Sequence, residues 1–466
     1  MVKDILQNIL YFVFRLSVRI FGLLFGLFFG LLFGTIGVTS CTSSNRLNLG
    51  VMTSSTNSSG SSSGSLTGGS TPLPFRPTPT PATLLWTKKV PGAVSGLSAS
   101  WGEKSSTQFA LVASSPDPDI VGSSERHLLT LFNSRGRIQW QKTMKAPVKE
   151  QDISSDGSMV VISNYSDELR AWDSRGNALW TVEGVCRPQI FRYSKRILCY
   201  HDDDADPKVA FEILDWSGNK LGYYPIVGDV LALKLAKDEK SVVIGLTGGQ
   251  IAYFKLKEGG PTGTIAPEWQ KTLGGEIVDV AVSPGDAPLI GVSLKTQKNG
   301  YQIALFDQNG NPQGLVSGSA IQIEFSKDGD NLYYYSNNKS GQAWGAYATI
   351  KGKLEAAWRH SVPNPSEYSS HLFVATDSLW LGFESDSNID PELKRNHLLE
   401  FTSDGKLATD LMIPADEEAH LYTYRIVKNK LEENGGAGAF VGGAAVVATD
   451  DSKVSVFKLP AITPSN

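Results

Sequence analysis

From residue 84 onward, short apolar runs alternate with polar turns, and the alternation repeats. Residues 146–184 show one complete unit: APVKEQDIS, the turn Ser155-Asp156-Gly157, SMVVIS, a loop, LRAWD, the turn Ser174-Arg175-Gly176, and ALWTVEG. Runs of this length, rich in β-branched and aromatic residues and bounded by Gly, Asp and Ser, predict four short strands, A to D. The two Gly turns supply the positive φ that tight hairpins need. Phe132-Asn-Ser-Arg-Gly-Arg-Ile-Gln-Trp140 and Trp172-Asp-Ser-Arg-Gly-Asn-Ala-Leu-Trp180 repeat this pattern 40 residues apart. A period of that size points to the radial repetition of a β-propeller.

The repeat can be followed in two series. The C–D turn glycines are Gly136, Gly176, Gly218, Gly310, Gly352 and Gly405, and the A–B turns contain Asp156, Ser194, Asp238, Gly285, Asp328 and Asp377. The step from Gly218 to Gly310 has room for two units, the hidden one formed by GGQIAYFKL and EWQKTL around an enlarged turn at Gly259-Gly260-Pro261. Eight segments qualify as strand C: LLTLF, LRAWD, AFEILDW, QIAYFKL, YQIALFD, WGAYATI, HLLEF and KVSVFKL. The last lacks a full strand D behind it, whereas LLWTKKV at 84–90 is a strand D with no unit before it. Pairing 84–90 with 453–458 would close the ring and remove the exposed sheet edges. The expected fold is all-β, an eight-bladed propeller of four-stranded antiparallel blades over 84–460, with seven blades as the alternative and 461–466 as a tail.

The N-terminus follows a different pattern. Residues 20–38 (IFGLLFGLFFGLLFGTIGV) carry no charge, and Arg15 and Arg19 precede them. The run is long enough to cross a bilayer as a helix and longer than a usual secretory core. Val38-Thr39-Ser40-Cys41 resembles a bacterial lipoprotein signal, with Cys41 as the lipid attachment residue. Residues 1–41 are therefore a lipoprotein signal peptide or an uncleaved membrane anchor. If the helix is retained, Gly22, Gly26, Gly30 and Gly34 form a small-residue stripe suited to helix association. Either outcome places the remainder outside the cytoplasm, an orientation the preceding positive residues also favour. Residues 42–83, dominated by Ser, Thr, Gly and then Pro, hold too few apolar side chains to offset the entropy of ordering, and read as a disordered tether.

Charge narrows the function. Of 43 Lys+Arg and 47 Asp+Glu, residues 1–41 hold Lys3, Arg15, Arg19 and Asp4, which leaves 40 against 46. That balance lacks the basic footprint of a nucleic-acid binder. Cys186 and Cys199 could be joined in an oxidising compartment. With Ser194-Lys195 as the hairpin turn, however, Cys199 falls opposite Ile190 and Cys186 lies four residues further along. That offset exceeds disulfide reach, so two unpaired apolar side chains are expected.

Asn133–Trp140 and Asp173–Trp180 resemble the tryptophan-docking repeat of the quinoprotein (PQQ-like) propellers. In that family a Gly turn precedes strand D, and a Trp of strand D packs on the next blade. Trp86, Trp269 and Trp358 fit the same strand, Trp358 two places later, whereas Gly222, Gly314 or Leu411 lies near that position in other units. The pattern is similar to WD40-type propellers as well. A lipid-anchored propeller of this kind is similar in architecture to the propeller lipoprotein of the outer-membrane β-barrel assembly machine. The resemblance implies a non-catalytic scaffold or adaptor that binds other envelope proteins.

Motifs of catalysis are not found. There is no HExxH, CxxC or P-loop, and the GxSxG match Gly60–Gly64 lies in the tether, without the strand and helix a nucleophile elbow requires. The quinone-binding members of the family use adjacent cysteines, and this chain has none, so no cofactor is expected. Asp307-Gln-Asn309-Gly-Asn311 has the wrong Gly position for a calcium loop and reads as a C–D turn. His127, His201 and His397 fall near strand ends on one rim, without metal-ligand spacing. No metal site or catalytic residue is assigned.

Long connections concentrate in the B–C loops at 115–126, 201–207, 294–300, 337–343 and 384–396, which marks one face for binding. Several are acidic, giving Asp117, Asp119, Asp202, Asp203, Asp204, Asp206, Asp386 and Asp390 as candidate partner-binding residues. The expected protein is a membrane-tethered scaffold of the bacterial envelope, held by lipid or by the N-terminal helix and most simply an outer-membrane lipoprotein, with no nucleic-acid partner. A surface recognition module and a degenerate quinoprotein enzyme are the alternatives.

Overall fold

In the computed structural model, the described residues are 83–101, 108–115, 127–184, 186–201, 209–225, 229–257, 262–298, 300–318, 320–338, 341–363, 372–375, 378–383, 397–412, 421–430, 440–449 and 452–459. They form sheets in sequence order that are antiparallel except where Gly263–Thr264 pairs parallel with Lys220–Tyr224, and a three-residue 3₁₀ turn at Thr247–Gly249 is their helical element. Sheet 1 spans residues 93–144, sheet 2 148–183, sheet 3 187–224, sheet 4 230–272, sheet 5 276–317, sheet 6 322–363 and sheet 7 372–412. The remaining sheet, sheet 8, is made from both ends of the described chain. Strand D, Thr83–Lys89, pairs with strand C, Lys453–Leu459, in the register Thr83↔Lys458 to Lys89↔Lys453. Each segment expected as strand C is the third strand of its sheet.

The core lies between sheets rather than within them. Leu111, Leu129 and Leu131 of sheet 1 pack with Val160, Ile162 and Trp172 of sheet 2. Val243, Ile251 and Tyr253 of sheet 4 pack in the same way with Val280, Val292 and Phe306 of sheet 5. Sheets 1 to 6 are apolar on both faces because a neighbour covers each one. Strand B of sheet 2, Met159–Asn164, is accordingly buried along its whole length, as is Ser241–Leu246 in sheet 4. Strand D alternates with solvent, as at Ile138–Met144. This is the energetic logic of a repeat protein: one unit cannot cover its own apolar faces and is stable only in an array.

The turns follow from their residues. Asp173 Oδ1 accepts the N–H groups of Arg175 and Asn177 at 2.9 and 2.8 Å, and Asp215, Asp307 and Asn133 do the same in their turns. The Asp307 segment is thus a C–D turn, as its sequence implies. Gly176 takes φ +81° there, and a methyl group on it would lie 2.8 Å from the Trp140 ring of sheet 1. The turn therefore needs Gly for its backbone and for the close approach of the neighbouring indole.

The structure corrects the cysteine expectation: Cys186 and Cys199 form a disulfide, with their Cα atoms 5.3 Å apart. The error lay in the register. Strand A, Arg187–Ile190, pairs with strand B, Arg196–Tyr200, so that Ile190 faces Ile197 and Cys199 faces Pro188. The loop between them is longer than a two-residue hairpin, and pairing shifts by two residues. Cys186 then stands diagonal to Cys199, within bridging distance.

The expected helix and anchor at 1–41, including Cys41, and nearly all of the tether lie outside the described residues. Among the described residues no helix is long and apolar enough to cross a membrane.

Candidate docking face

B–C loops and D–A connections meet on one side of the sheet array. Between sheets 4 and 5 they enclose a cavity of about 810 Å³. Gly248 and Gly249 contribute from the B–C turn of sheet 4, Leu273-Gly274-Gly275 from the following D–A connection, and Leu294 to Lys298 from the B–C side of sheet 5. The walls are close-set main chain. Leu273 N–H donates to Gly249 O at 2.8 Å. A methyl on Gly249 would lie 2.4 Å from Gly275 O, and one on Gly275 2.9 Å from Lys295 O. The glycines let three backbone segments converge. Glu276, Lys295, Gln297 and Lys298 supply the polar rim, and Leu273 and Leu294 the apolar lining.

Inside the array, the first strands carry charges that pair from sheet to sheet. Arg187 of sheet 3 lies 3.4 Å from Glu150 of sheet 2, with its guanidinium 5.8 Å from the Tyr200 ring centre. Asp152 Oδ2 accepts Ile190 N–H at 2.7 Å, and Asp279 Oδ2 accepts Ile323 N–H at 2.8 Å, each tying one first strand to the next. Lys237 of sheet 4 reaches Glu324 of sheet 6 at 3.3 Å and the carbonyl of Val374 of sheet 7 at 3.3 Å. Burial opposes the charge of Lys234, but the carboxylates of Asp279 and Glu324 outweigh it and hold the ammonium above its ordinary pKa. Burial pushes the Asp279 carboxyl up, against the pull of Lys234 and the N–H donors. The Arg187–Glu150 pair is partly exposed, with side chains 41% and 38% accessible, and the Lys237–Glu324 pair is half-buried.

A further contact joins the A–B turns on the opposite face. Glu239, buried and at φ +60°, receives the N–H groups of Arg192 and Tyr193 from the neighbouring sheet. Burial raises its pKa, and these N–H donors counter the shift. Neither this clasp nor the inner charge pairs were foreseen, because a polar residue alternating along a strand has the same sequence pattern as one facing water.

The candidate residues Asp117, Asp119, Asp202, Asp203, Asp204, Asp206, Asp386 and Asp390 all lie outside the described residues. The B–C segment of sheet 5 that is described carries Lys295 and Lys298 rather than acids. His127 begins strand C of sheet 1, His201 follows strand B of sheet 3 and His397 begins strand C of sheet 7, all at the B–C end. No group of three His, Cys, Asp or Glu side chains that could hold a metal ion occurs among the described residues. The cavity lining offers the charges of Glu276, Lys295 and Lys298, the hydroxyl of Thr296 and the amides of Gln297 and Gln302 beside the apolar Leu273 and Leu294.

No family model and no curated protein matches the chain. Solved structures do resemble it. Saccharomyces cerevisiae Sqt1 aligns at a TM-score of 0.56 and 11% identity, over 82% of this chain and 100% of that one. BamB from Moraxella catarrhalis aligns at 0.48 and 16% identity, over 81% and 100%. The C-terminal WD40 domain of Sif2 aligns at 0.49 and 14% identity, over 80% and 98%. The likeness at this level of identity is one of fold alone, and that fold is a β-propeller.

Proposed function

We propose that the chain is an eight-bladed, non-catalytic propeller, tethered to a membrane of the bacterial envelope and acting as a scaffold or adaptor for other proteins. The observation that carries the scaffold reading is the main-chain-walled cavity on the B–C and D–A face, a recess that sets polar and apolar contacts side by side. Such a recess suits a protein loop or terminus, which can meet the polar rim of Glu276, Lys295, Gln297 and Lys298 and pack on the half-buried Leu273. The Cys186–Cys199 disulfide supports an oxidising compartment, in agreement with a lipoprotein-type sequence ending at Cys41 and an outer-membrane location. The acidic B–C residues, from Asp117 to Asp390, would extend the same face toward a partner with basic surface.

Two measurements test this. Mass analysis of the mature N-terminus should find a lipid-modified Cys41, and a chain beginning at an unmodified Met1 would reject lipidation. Crosslinking in intact cells, followed by mass spectrometry, should recover the same envelope proteins in replicate experiments. Recovery of none would reject the scaffold reading.

A further inference from the structure

A second surface, on the flank of the array, has a different character. Between residues 83 and 149 the described chain contains Lys88, Lys89, Arg135, Arg137, Lys142, Lys145 and Lys149, and no Asp or Glu. Over the full sequence from 83 to 149, nine Lys and Arg stand against four acids, Glu103, Asp117, Asp119 and Glu125, so the sector is net basic in a chain whose net charge is −4. Its cations are not spread evenly. Lys88, Lys89 and Arg137, all exposed, line a groove of about 400 Å³ between strand D of sheet 8 and the C–D hairpin of sheet 1. Among the described residues no carboxylate pairs with any of the three.

The groove has a fixed shape. Trp86 locks its two walls together, packing 5.5 Å from the Phe132 ring, donating Nε1–H to Ser134 O at 3.1 Å, and filling the space above Gly136. Val90 and Phe132 form a buried floor, and Ile138, 55% exposed, stands at the rim. Thr130 and Gln141, joined by a 2.9 Å hydrogen bond, add polar contacts. Cations at a rim, an apolar floor and hydrogen-bonding groups together match a chain that alternates carboxylate and apolar side chains. A flat anionic surface would use the charge but not the recess.

We propose that this groove binds an acidic, extended peptide segment of a partner protein. Lys88, Lys89 and Arg137 pair with its carboxylates, and Ile138, Phe132 and Val90 take an apolar side chain. The proposal is independent of the cavity on the B–C and D–A face and of where the protein resides.

The test uses the full-length protein in detergent micelles and a fluorescent peptide of Asp-Leu-Glu-Ser repeats, read by anisotropy. At low ionic strength the peptide should bind, and added salt should weaken it. The triple variant Lys88→Gln, Lys89→Gln, Arg137→Gln should lose about tenfold in affinity, mostly through loss of charge complementarity. A control with the same change in net charge elsewhere, Lys257→Gln, Lys327→Gln, Lys353→Gln, should bind as the parent does. Ile138→Asp alone should also weaken binding, and decides the matter if the triple variant melts at a lower temperature than its parent. Three results would overturn the proposal: no binding of the peptide, equal loss in both triple variants, or binding through these residues to phosphatidylglycerol vesicles but not to the peptide.

Discussion

The junction between sheets 1 and 2 and the junction between sheets 3 and 4 solve one problem by different means. At the first, Trp140 of strand D is buried on Gly176 and lies 6.4 Å from the Trp172 ring. Four other junctions use the same device: Trp86 on Gly136, Trp180 on Gly218, Trp269 on Gly310 and Trp358 on Gly405, each indole donating to a carbonyl of the turn it covers. Sheet 3 has Gly222 where the tryptophan would stand. There the enlarged C–D connection of sheet 4 adds Gly263–Thr264 as a parallel strand beside Gly222 and Tyr223. Ile265 N–H bonds to Tyr223 O at 2.7 Å, and Phe211, Tyr224 and Phe254 form an aromatic trio with centroids 4.6 to 5.9 Å apart. A side chain missing from one sheet is thus replaced by main chain borrowed from the next. Sealing a junction is the requirement, and tryptophan is one way to meet it.

Removing each seal measures its weight. Trp140→Ala should cost about 3–5 kcal/mol, since a buried indole leaves a cavity that rigid sheets cannot close; chemical denaturation with a lowered midpoint would show it. Losing the covalent tie in sheet 3 ranks next. The bridge closes a short loop, with a sequence separation of 13, and Cys199→Ser should cost about 3 kcal/mol by loop entropy. If the two measured costs reverse, the docked indole is not the dominant element. Replacing residues 262–266 by a short Gly-Ser link should cost about 1 kcal/mol, the net worth of a hydrogen bond or two. It should also raise hydrogen exchange at Tyr223 while leaving sheets 1 and 2 unchanged.

The smallest effect concerns the turns beneath the tryptophans. At Asp173, Asp215 and Asp307 burial alone would raise the carboxyl pKa. The bonds from the Asn177, Asn219 and Asn311 side chains and from backbone N–H groups outweigh it, so each group sits below its ordinary value. A depressed folded-state pKa adds stability that is fully present above the unfolded value, about 3.9, and is lost as pH falls through the folded one. Thermal midpoints should therefore decline below about pH 4. Asp→Asn at all three positions should flatten that decline and preserve the turns, because Asn133 already makes the same contacts in sheet 1.

Much of this was legible in sequence, and the reasons differ by region. Gly turns and strand-D tryptophans are local signals, so Trp86, Trp140, Trp180, Trp269 and Trp358 could be placed without a structure. Trp358 stands two residues late because the sheet 6 hairpin is tighter, with Ile350 pairing Lys353. The disulfide was missed because it depends on a loop whose length no turn residue announced. The Gly263–Thr264 strand was missed because two residues carry no periodicity. The inner charge pairs, such as Arg187 with Glu150, depend on neighbours in another sheet. The cavity at Gly249 and Gly275 was hidden for the same reason: its form comes from three backbones meeting, and glycine in sequence signals only that a turn exists.

The central claim is that this propeller docks a protein on its B–C and D–A face. A photo-crosslinking amino acid placed at Gln297, on the rim of the cavity, tests it directly against the same group at Asn311, on the opposite turns. The account predicts a reproducible crosslinked protein from Gln297 that is absent from Asn311. The same products from both positions, or none from Gln297, would contradict it.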